Sequence, residues 1–275
     1  MEKACAGGRP FLTSRTGMSA FEIAGLFAAA AAAGAINAVA GGGTLLTFPA
    51  LLLAGTPAVV ANATSTVALV IGIGGSVYGY RRQIGEVKAW LRRFLPVSLL
   101  GGLLGGILLT TTSEQAFSRM VPFLLLFASV LFLAQGPLSR WLNLGTSGEQ
   151  PVRRRALWAA LLFQFGVSLY GGYFGAGIGI LMLATLGFLG LSDIHQMNAV
   201  KTVLGSLINL VAAAWFIGAG LVDWPKAGIM TFGAMGGYFL GAHFAQKISQ
   251  RRVRQVITAV GFGISAVTFY REFLR

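Results

Sequence analysis

Apolar stretches long enough to cross a membrane recur from one end of this chain to the other, broken by short polar or basic turns. A bilayer core of about 30 Å needs roughly 20 apolar residues at ~1.5 Å per residue of helix. On that measure the pattern predicts long helices at about 20–40, 59–80, 93–112, 118–135, 156–175, 194–218, 226–245 and 253–270. Two further apolar pieces, at about 44–54 and 180–190, each follow a cluster of glycines and are too short to span. The predicted fold class is an all-α polytopic membrane protein. It has about eight long transmembrane helices and two short half-helices after glycine-rich breaks.

The two halves of the chain match at a constant offset of 136 residues, the separation of Gly41 from Gly177. The same offset joins Gly43 to Gly179, Asn62-Ala63 to Asn198-Ala199, Thr66-Val67 to Thr202-Val203, Gly101 to Gly237 and Gly105 to Gly241. Glycine coincidences are cheap in a chain with 39 of them. The Asn-Ala-x-x-Thr-Val coincidence is not, and it marks a duplication. The organisation expected is an N-terminal tail (1–18), a first repeat (19–136), a cytoplasmic linker (137–155) and a second repeat (156–275).

Composition agrees with the pattern: 55% of the residues are hydrophobic and 11% charged, with a mean hydropathy of +0.74. Soluble domains carry about 25% charged residues. The net charge of +13 invites a nucleic-acid reading. The basic residues, however, sit in short loops between apolar segments, as in cytoplasmic loops of membrane proteins, so no nucleic-acid partner is expected.

Loop charge also sets orientation. The first-half loop from Arg81 to Arg93 holds Arg81, Arg82, Lys88, Arg92 and Arg93 against Glu86, whereas its counterpart holds Asp223 and Lys226. The next loop reverses this: Glu114 and Arg119 in the first half, Lys247, Arg251, Arg252 and Arg254 in the second. The positive-inside rule then predicts repeats of opposite orientation, the inverted plan of many secondary transporters. Inversion needs an odd number of elements per repeat. Four long helices and one half-helix, paired with the first helix as a re-entrant hairpin, supply five. Both termini then lie outside and the linker inside.

The N-terminal tail, with Lys3, Arg9 and Arg15 against Glu2, resists that topology. Met18 offers an alternative start, which would make residues 1–17 a non-native extension; N-terminal sequencing tests this. The apolar stretch from Ala24 to Ala40 runs into the repeat's own glycines, so it does not read as a cleavable signal peptide. The single cysteine, Cys5, excludes an intramolecular disulfide.

Three groups of residues are candidates for a site. Gly41, Gly42 and Gly43 precede a half-helix starting at Thr44, and Gly177 and Gly179 precede the other. Glycine lets a helix break and lets a ligand approach the backbone, and the free N–H groups at a helix start attract anions. Close packing through small residues is the competing reading.

Asn62 with Thr66, and Asn198 with Thr202, form i, i+4 pairs on one helix face. They can donate to an oxyanion without adding charge, or tie the bundle together. Lys201 takes the position of Ser65 in the other half and puts an ammonium inside an apolar stretch. That costs roughly 2.5–3.5 kcal/mol on insertion scales unless the charge meets a partner or snorkels to the interface.

Asn37, Gln164, Ser206 and Asn209 read as bundle hydrogen-bond partners, and His195 and His243 as interfacial. Asp193, Asp223, Glu22 and Glu86 sit at segment ends, which argues against a carboxylate-lined cation site. The patterns Gly101-Gly102-x-x-Gly105-Gly106 and Gly233-x-x-Gly236-Gly237-x-x-x-Gly241 read as packing faces. No metal-ligand spacing, nucleophile elbow or phosphate-binding loop is present in the sequence, so neither an enzyme nor a bound metal or cofactor is expected.

The chain resembles the sulfite exporter TauE/SafE family of membrane permeases from about residue 20 to 270. The carrying stretches are Gly34-Ala-Ile-Asn37-Ala-Val-Ala-Gly41-Gly42-Gly43-Thr-Leu-Leu-Thr-Phe-Pro49, Asn62-Ala-Thr-Ser-Thr66, Gly175-Ala-Gly177-Ile-Gly179, Gly218-Ala-Gly220-Leu-Val-Asp223-Trp224 and Gly241-Ala-His-Phe-Ala-Gln-Lys247. The resemblance implies a multi-pass carrier of the bacterial inner membrane, moving sulfite, organosulfonates or related sulfur oxyanions.

The resulting expectation is a secondary transporter, in the exporting direction, of a small anion held between inverted repeats. Its partners would be that anion and the lipid bilayer, with a coupling proton or sodium ion and a homo-oligomer both compatible with the plan. An anion channel or facilitative pore, and a membrane subunit that needs a partner chain, are the alternatives. The role given to Lys201 rests on physics alone, since it is not carried over from the family.

Overall fold

A computed structural model describes residues 18–39, 41–79, 85, 87–144, 154–189, 191, 193–244 and 250–274. Side chains are described for all of these except 39, 73–79, 136–144, 188, 194–195, 242–244 and 250–252. Among the described residues there are ten helices and no strand. In hydrocarbon every backbone N–H and C=O must find a partner within the protein, and the helix does this within one segment.

Numbered in chain order, they are α1 (Ala20–Val39), α2 (Thr44–Leu53), α3 (Ala58–Gly79), α4 (Lys88–Thr111) and α5 (Glu114–Leu144) in the first half. The second half holds α6 (Arg154–Tyr173), α7 (Ile178–Phe188), α8 (Ile194–Gly218), α9 (Trp224–Phe244) and α10 (Gln250–Phe273). Eight have 20 to 31 residues, while α2 and α7 have 10 and 11. Five segments, in α1, α4, α5, α8 and α10, are both long and apolar enough to cross a membrane.

One boundary differs from the sequence reading. α5 runs to Leu144 and takes the first part of the expected 137–155 linker into helix. Residues 137–144 include Leu138, Trp141, Leu142 and Leu144 among polar neighbours, and such a mixed segment extends a helix as readily as it ends one. Residues 145–153 lie outside the described part. So do residues 1–17, on which the alternative start at Met18 bears, and several of the basic loop residues used for orientation, such as Arg81, Arg82 and Lys247.

Large apolar side chains face outward at helical spacing. Leu100, Leu104 and Leu108 line α4, and Phe232, Met235 and Phe239 line α9. An exterior of this kind suits lipid, as an interior does in a soluble protein. The inner seams are made of small residues instead. Along α1 and α9, methyl groups at Gly233, Gly237 and Gly241 would collide with the backbone of Phe27, Ala31 and Ala35 in turn. Along α4 and α6, methyls at Gly101 and Gly105 would collide with the backbone at Phe165 and Leu169. The glycine patterns are therefore packing faces, which let backbones approach where lipid offers no hydrophobic drive for association.

Helix packing follows the 136-residue offset. α1 packs on α9, and its counterpart α6 packs on α4. α4 packs on α8 as α9 packs on α3, and α2 touches α3 and α10 as α7 touches α8 and α5. The pairs α3–α8 and α5–α10 each join a helix to its own counterpart.

Polar contacts collect several helix ends at one end of the bundle. Lys226, in the first turn of α9, donates to the Ala54 carbonyl (3.1 Å) and the Thr56 hydroxyl (2.9 Å) just after α2. Its ammonium also lies 3.6 Å from Glu22 at the start of α1 and 3.8 Å from Asp223. α2 therefore turns back beside α1 and ends near where α1 begins, so the two form a hairpin. Glu114, starting α5, accepts from the Ala58 and Val59 amides at the start of α3. Trp215 near the end of α8 donates to Thr110 near the end of α4 (3.2 Å).

Candidate functional site

Two connections, between α1 and α2 and between α6 and α7, lead into the short half-helices, and both depend on glycine. Gly41 and Gly42 have φ of 80° and 97°, and Gly175 and Gly177 have 84° and 82°. Other residues pay steric strain in this left-handed region. The two breaks approach each other. The ring of Phe132, on α5, fills the space where a Gly42 side chain would project, and it also lies 3.8 Å from the Cβ position of Gly177. Phe132, Phe174 and Ala176 are all at most 2% exposed, whereas Gly41, Gly42, Gly175 and Gly179 are half-buried. A groove of about 450 Å³, lined by Phe21, Glu22, Gly25, Leu26, Ala50, Leu53 and Ala54, opens elsewhere, where α1 starts and α2 ends.

The first break is hydrogen-bonded through its own side chains. The Gly43 amide donates to Asn37 Oδ1 (2.7 Å), and Asn37 Nδ2 donates to the Tyr238 hydroxyl on α9 (2.8 Å). Thr47 Oγ1 lies 3.2 Å from the Gly43 carbonyl and 2.6 Å from Ser65 Oγ. Asn37 thus acts as more than the generic bundle partner its sequence position suggests, because it takes up one of the N–H groups that open a half-helix.

The second break is built differently. Tyr170 donates its hydroxyl to the Ala176 carbonyl (2.8 Å), and Asn62 Nδ2 donates to the Tyr173 carbonyl (2.9 Å). Gly177 caps α7 and, like Gly43 at α2, offers no side chain of its own, but among the described residues no side chain accepts from its amide as Asn37 does from that of Gly43. Lys201, on α8, runs its aliphatic stem along Gly179: Cδ, Cγ and Cε lie 3.1, 3.5 and 3.8 Å from where a Gly179 Cβ would stand. A side chain at residue 179 would press on the stem, which would have to shift by a few tenths of an ångström. The ammonium has no ion-pair or hydrogen-bond partner among the described residues.

The remaining predicted residues fall as follows. Thr44 is the first residue of α2. Thr66 donates back to the Asn62 carbonyl (2.9 Å), so its proton is committed within α3. Asn198 and Thr202 lie on α8, one turn apart and partly buried, with no side-chain hydrogen bond among the described residues. Gln164 bonds to Ser98 (3.0 Å) and Ser168 (3.3 Å) as a bundle partner. The His195 and His243 side chains lie outside the described residues.

A model of the sulfite exporter TauE/SafE family matches residues 26–268, which takes in both breaks and all ten helices in whole or part. The chain belongs to this family. A probable membrane transporter protein of Haemophilus influenzae is 30% identical over 254 residues, covering 90% of this chain and 94% of its own length. Probable membrane transporter proteins of a Sinorhizobium species (ORF9) and of Escherichia coli K12 (YfcA) are each 28% identical, over 248 and 252 residues. They cover 88% and 89% of this chain, and 90% and 88% of their own lengths. No solved structure matches the chain. The protein is a multi-pass membrane transporter of this family.

Sequence reasoning brought the glycines, Asn62 and Lys201 to the site region but missed Phe132 and the capping role of Asn37. Phe132 carries no signal in sequence, being one apolar residue in an apolar helix. Asn37 did carry one: it lies six residues before Gly43, the reach of a side chain across a sharp turn.

Proposed function

We propose that this protein is a secondary transporter of a small anion, a sulfur oxyanion such as sulfite or an organosulfonate, working in the exporting direction across the bacterial inner membrane. The observation that carries the reading is the second break. There no side chain among the described residues takes up an amide that opens α7, and Lys201, unpartnered among them, lies along its first turn at Gly179. Free N–H groups and the positive end of a half-helix favour an anion. A half-buried ammonium with no counter-charge among the described residues has the same preference. Gly177, Gly179, Lys201, Asn198 and Thr202 are the residues assigned to that anion. Asn62 and the first break, Gly41 to Thr44, support the opposite side.

Two inverted repeats, 19–136 and 156–275, complete the proposal. Supporting it, α1 and α9 run side by side in the same direction from the end where Lys226 meets Glu22. α6 and α4 also run side by side in one direction, but α4 ends at that end, so α1 and α6 oppose each other. Access then alternates as one repeat moves against the other. The buried Phe132 ring, which lies against both breaks, favours a carrier over an open pore. A coupling proton or sodium ion and a homo-oligomer remain compatible with this scheme.

The test is movement of labelled sulfite, sulfate, thiosulfate and a small sulfonate in proteoliposomes, with and without a pH gradient. Saturable exchange of one of them supports a carrier, and non-saturating flux supports a pore. No flux of any, from folded protein, sinks the anion reading.

A further inference from the structure

Asn62 is 1% exposed, and its amide orientation is fixed because Nδ2 donates to the Tyr173 carbonyl (2.9 Å) at the start of the second break. That leaves its carbonyl, Oδ1, buried with no hydrogen-bond partner. A buried acceptor without a donor costs about 1–3 kcal/mol, so such a group in a native fold calls for a visitor. The rest of the break offers the opposite chemistry. Lys201 and the amides that open α7 can only donate. Through the Tyr173 carbonyl, the break that carries these donors is thus tied to a vacant acceptor on Asn62; the other vacant buried acceptor among the described residues is Gln135 Oε1 on α5.

From this we infer that Asn62 selects anions that carry a hydrogen-bond donor of their own: a protonated oxyanion, or a sulfonate bearing a hydroxyl or amine. The anionic oxygens face the α7 amides and Lys201, while the O–H or N–H is taken by Asn62 Oδ1. A hard metal cation fits the same oxygen poorly, because such ions take about six oxygen ligands and Asn62 Oδ1 is a single one. A fully deprotonated, donor-free anion leaves Oδ1 orphaned and is penalised. Sites built to hydrogen-bond a substrate group discriminate strongly against analogues that lack it.

This inference rests on the anion-carrier reading, and its experiment separates the two. Proteoliposomes holding the full chain exchange labelled sulfite against two shape-matched pairs of competitors. The first pair is 2-hydroxyethanesulfonate and 1-propanesulfonate, which differ by hydroxyl against methyl. The second is hydrogenphosphate and sulfate, dianions with and without a proton. The donor-bearing member should inhibit about tenfold better, which corresponds to ~1.4 kcal/mol. Asn62→Leu should level the pair by weakening only the donor-bearing member. If the variant does not fold, the wild-type comparison still decides. Sulfite exchange with equal inhibition within each competing pair, or with no inhibition by any of the four, overturns the inference and leaves the carrier reading standing. No sulfite movement overturns the carrier reading itself.

Discussion

The two glycine breaks match at the 136-residue offset and are held in different ways. At the first, Asn37 ties Gly43 to Tyr238, and Thr47 ties Gly43 to Ser65, so the half-helix is fastened to both α9 and α3. At the second, Leu183 stands at the offset position of Thr47, and Lys201 replaces Ser65. The hydroxyl clasp is gone and a cation lies in its place, its stem against Gly179. Matching glycines thus accompany one break fixed by internal hydrogen bonds and one where Lys201 has no polar partner among the described residues. The glycines set the chain path at both breaks, and the neighbouring side chains set how each is held.

The comparison breaks most severely if the glycines themselves are changed. Gly42→Ala forces a side chain into the left-handed region, at about 1–2 kcal/mol, and drives it into the Phe132 ring. Overpacking of that kind adds ~1–3 kcal/mol. The expected result is a marked loss of folded protein on size-exclusion chromatography in detergent. Gly25→Ala, where an added Cβ meets nothing within 4 Å, should behave as wild type in the same assay.

Replacement of the cation comes next and should touch function alone. Lys201→Met keeps the stem packed on Gly179 and removes the charge. Loss of a charge-assisted hydrogen bond of ~1.5–3 kcal/mol predicts roughly a ten- to hundredfold weaker apparent affinity for the transported anion. The thermal midpoint should stay the same or rise, since an unpaired ammonium has left the interior. Unchanged affinity would remove Lys201 from the site.

Asn37→Leu should do the reverse. It leaves the Gly43 amide and the Tyr238 hydroxyl without their partner, which predicts about 1–3 kcal/mol of lost stability, read as a lower thermal midpoint. Anion affinity should change less than in Lys201→Met. If the affinity falls as far as in that variant, the first break belongs to the binding site on equal terms. Gly179→Ala is the mildest change. Its new methyl would sit 3.1 Å from Lys201 Cδ, moving a flexible stem by a few tenths of an ångström. A few-fold drop in transport, with no change in fold, is expected from flux measurements.

Much of this protein was legible in its sequence because hydrocarbon imposes strict rules. Backbone groups that find no water must form helices, and helices that cross need a fixed length of apolar residues. The ten apolar segments, two of them short pieces after glycines, follow from that, and the fold has a helix at each. Gly101 and Gly237 announced packing faces because small residues at helical spacing have few other uses in a bilayer. What the apolar pattern could not contain was the meeting of distant segments. That Phe132 is shared by both breaks, that Asn37 reaches Tyr238 201 residues away, and that Asn62 turns its N–H to Tyr173 and leaves its carbonyl free depend on how helices from opposite halves pack. Side-chain hydrogen bonds are short and directional, so only the tertiary arrangement decides which polar groups are satisfied within the bundle and which are left open.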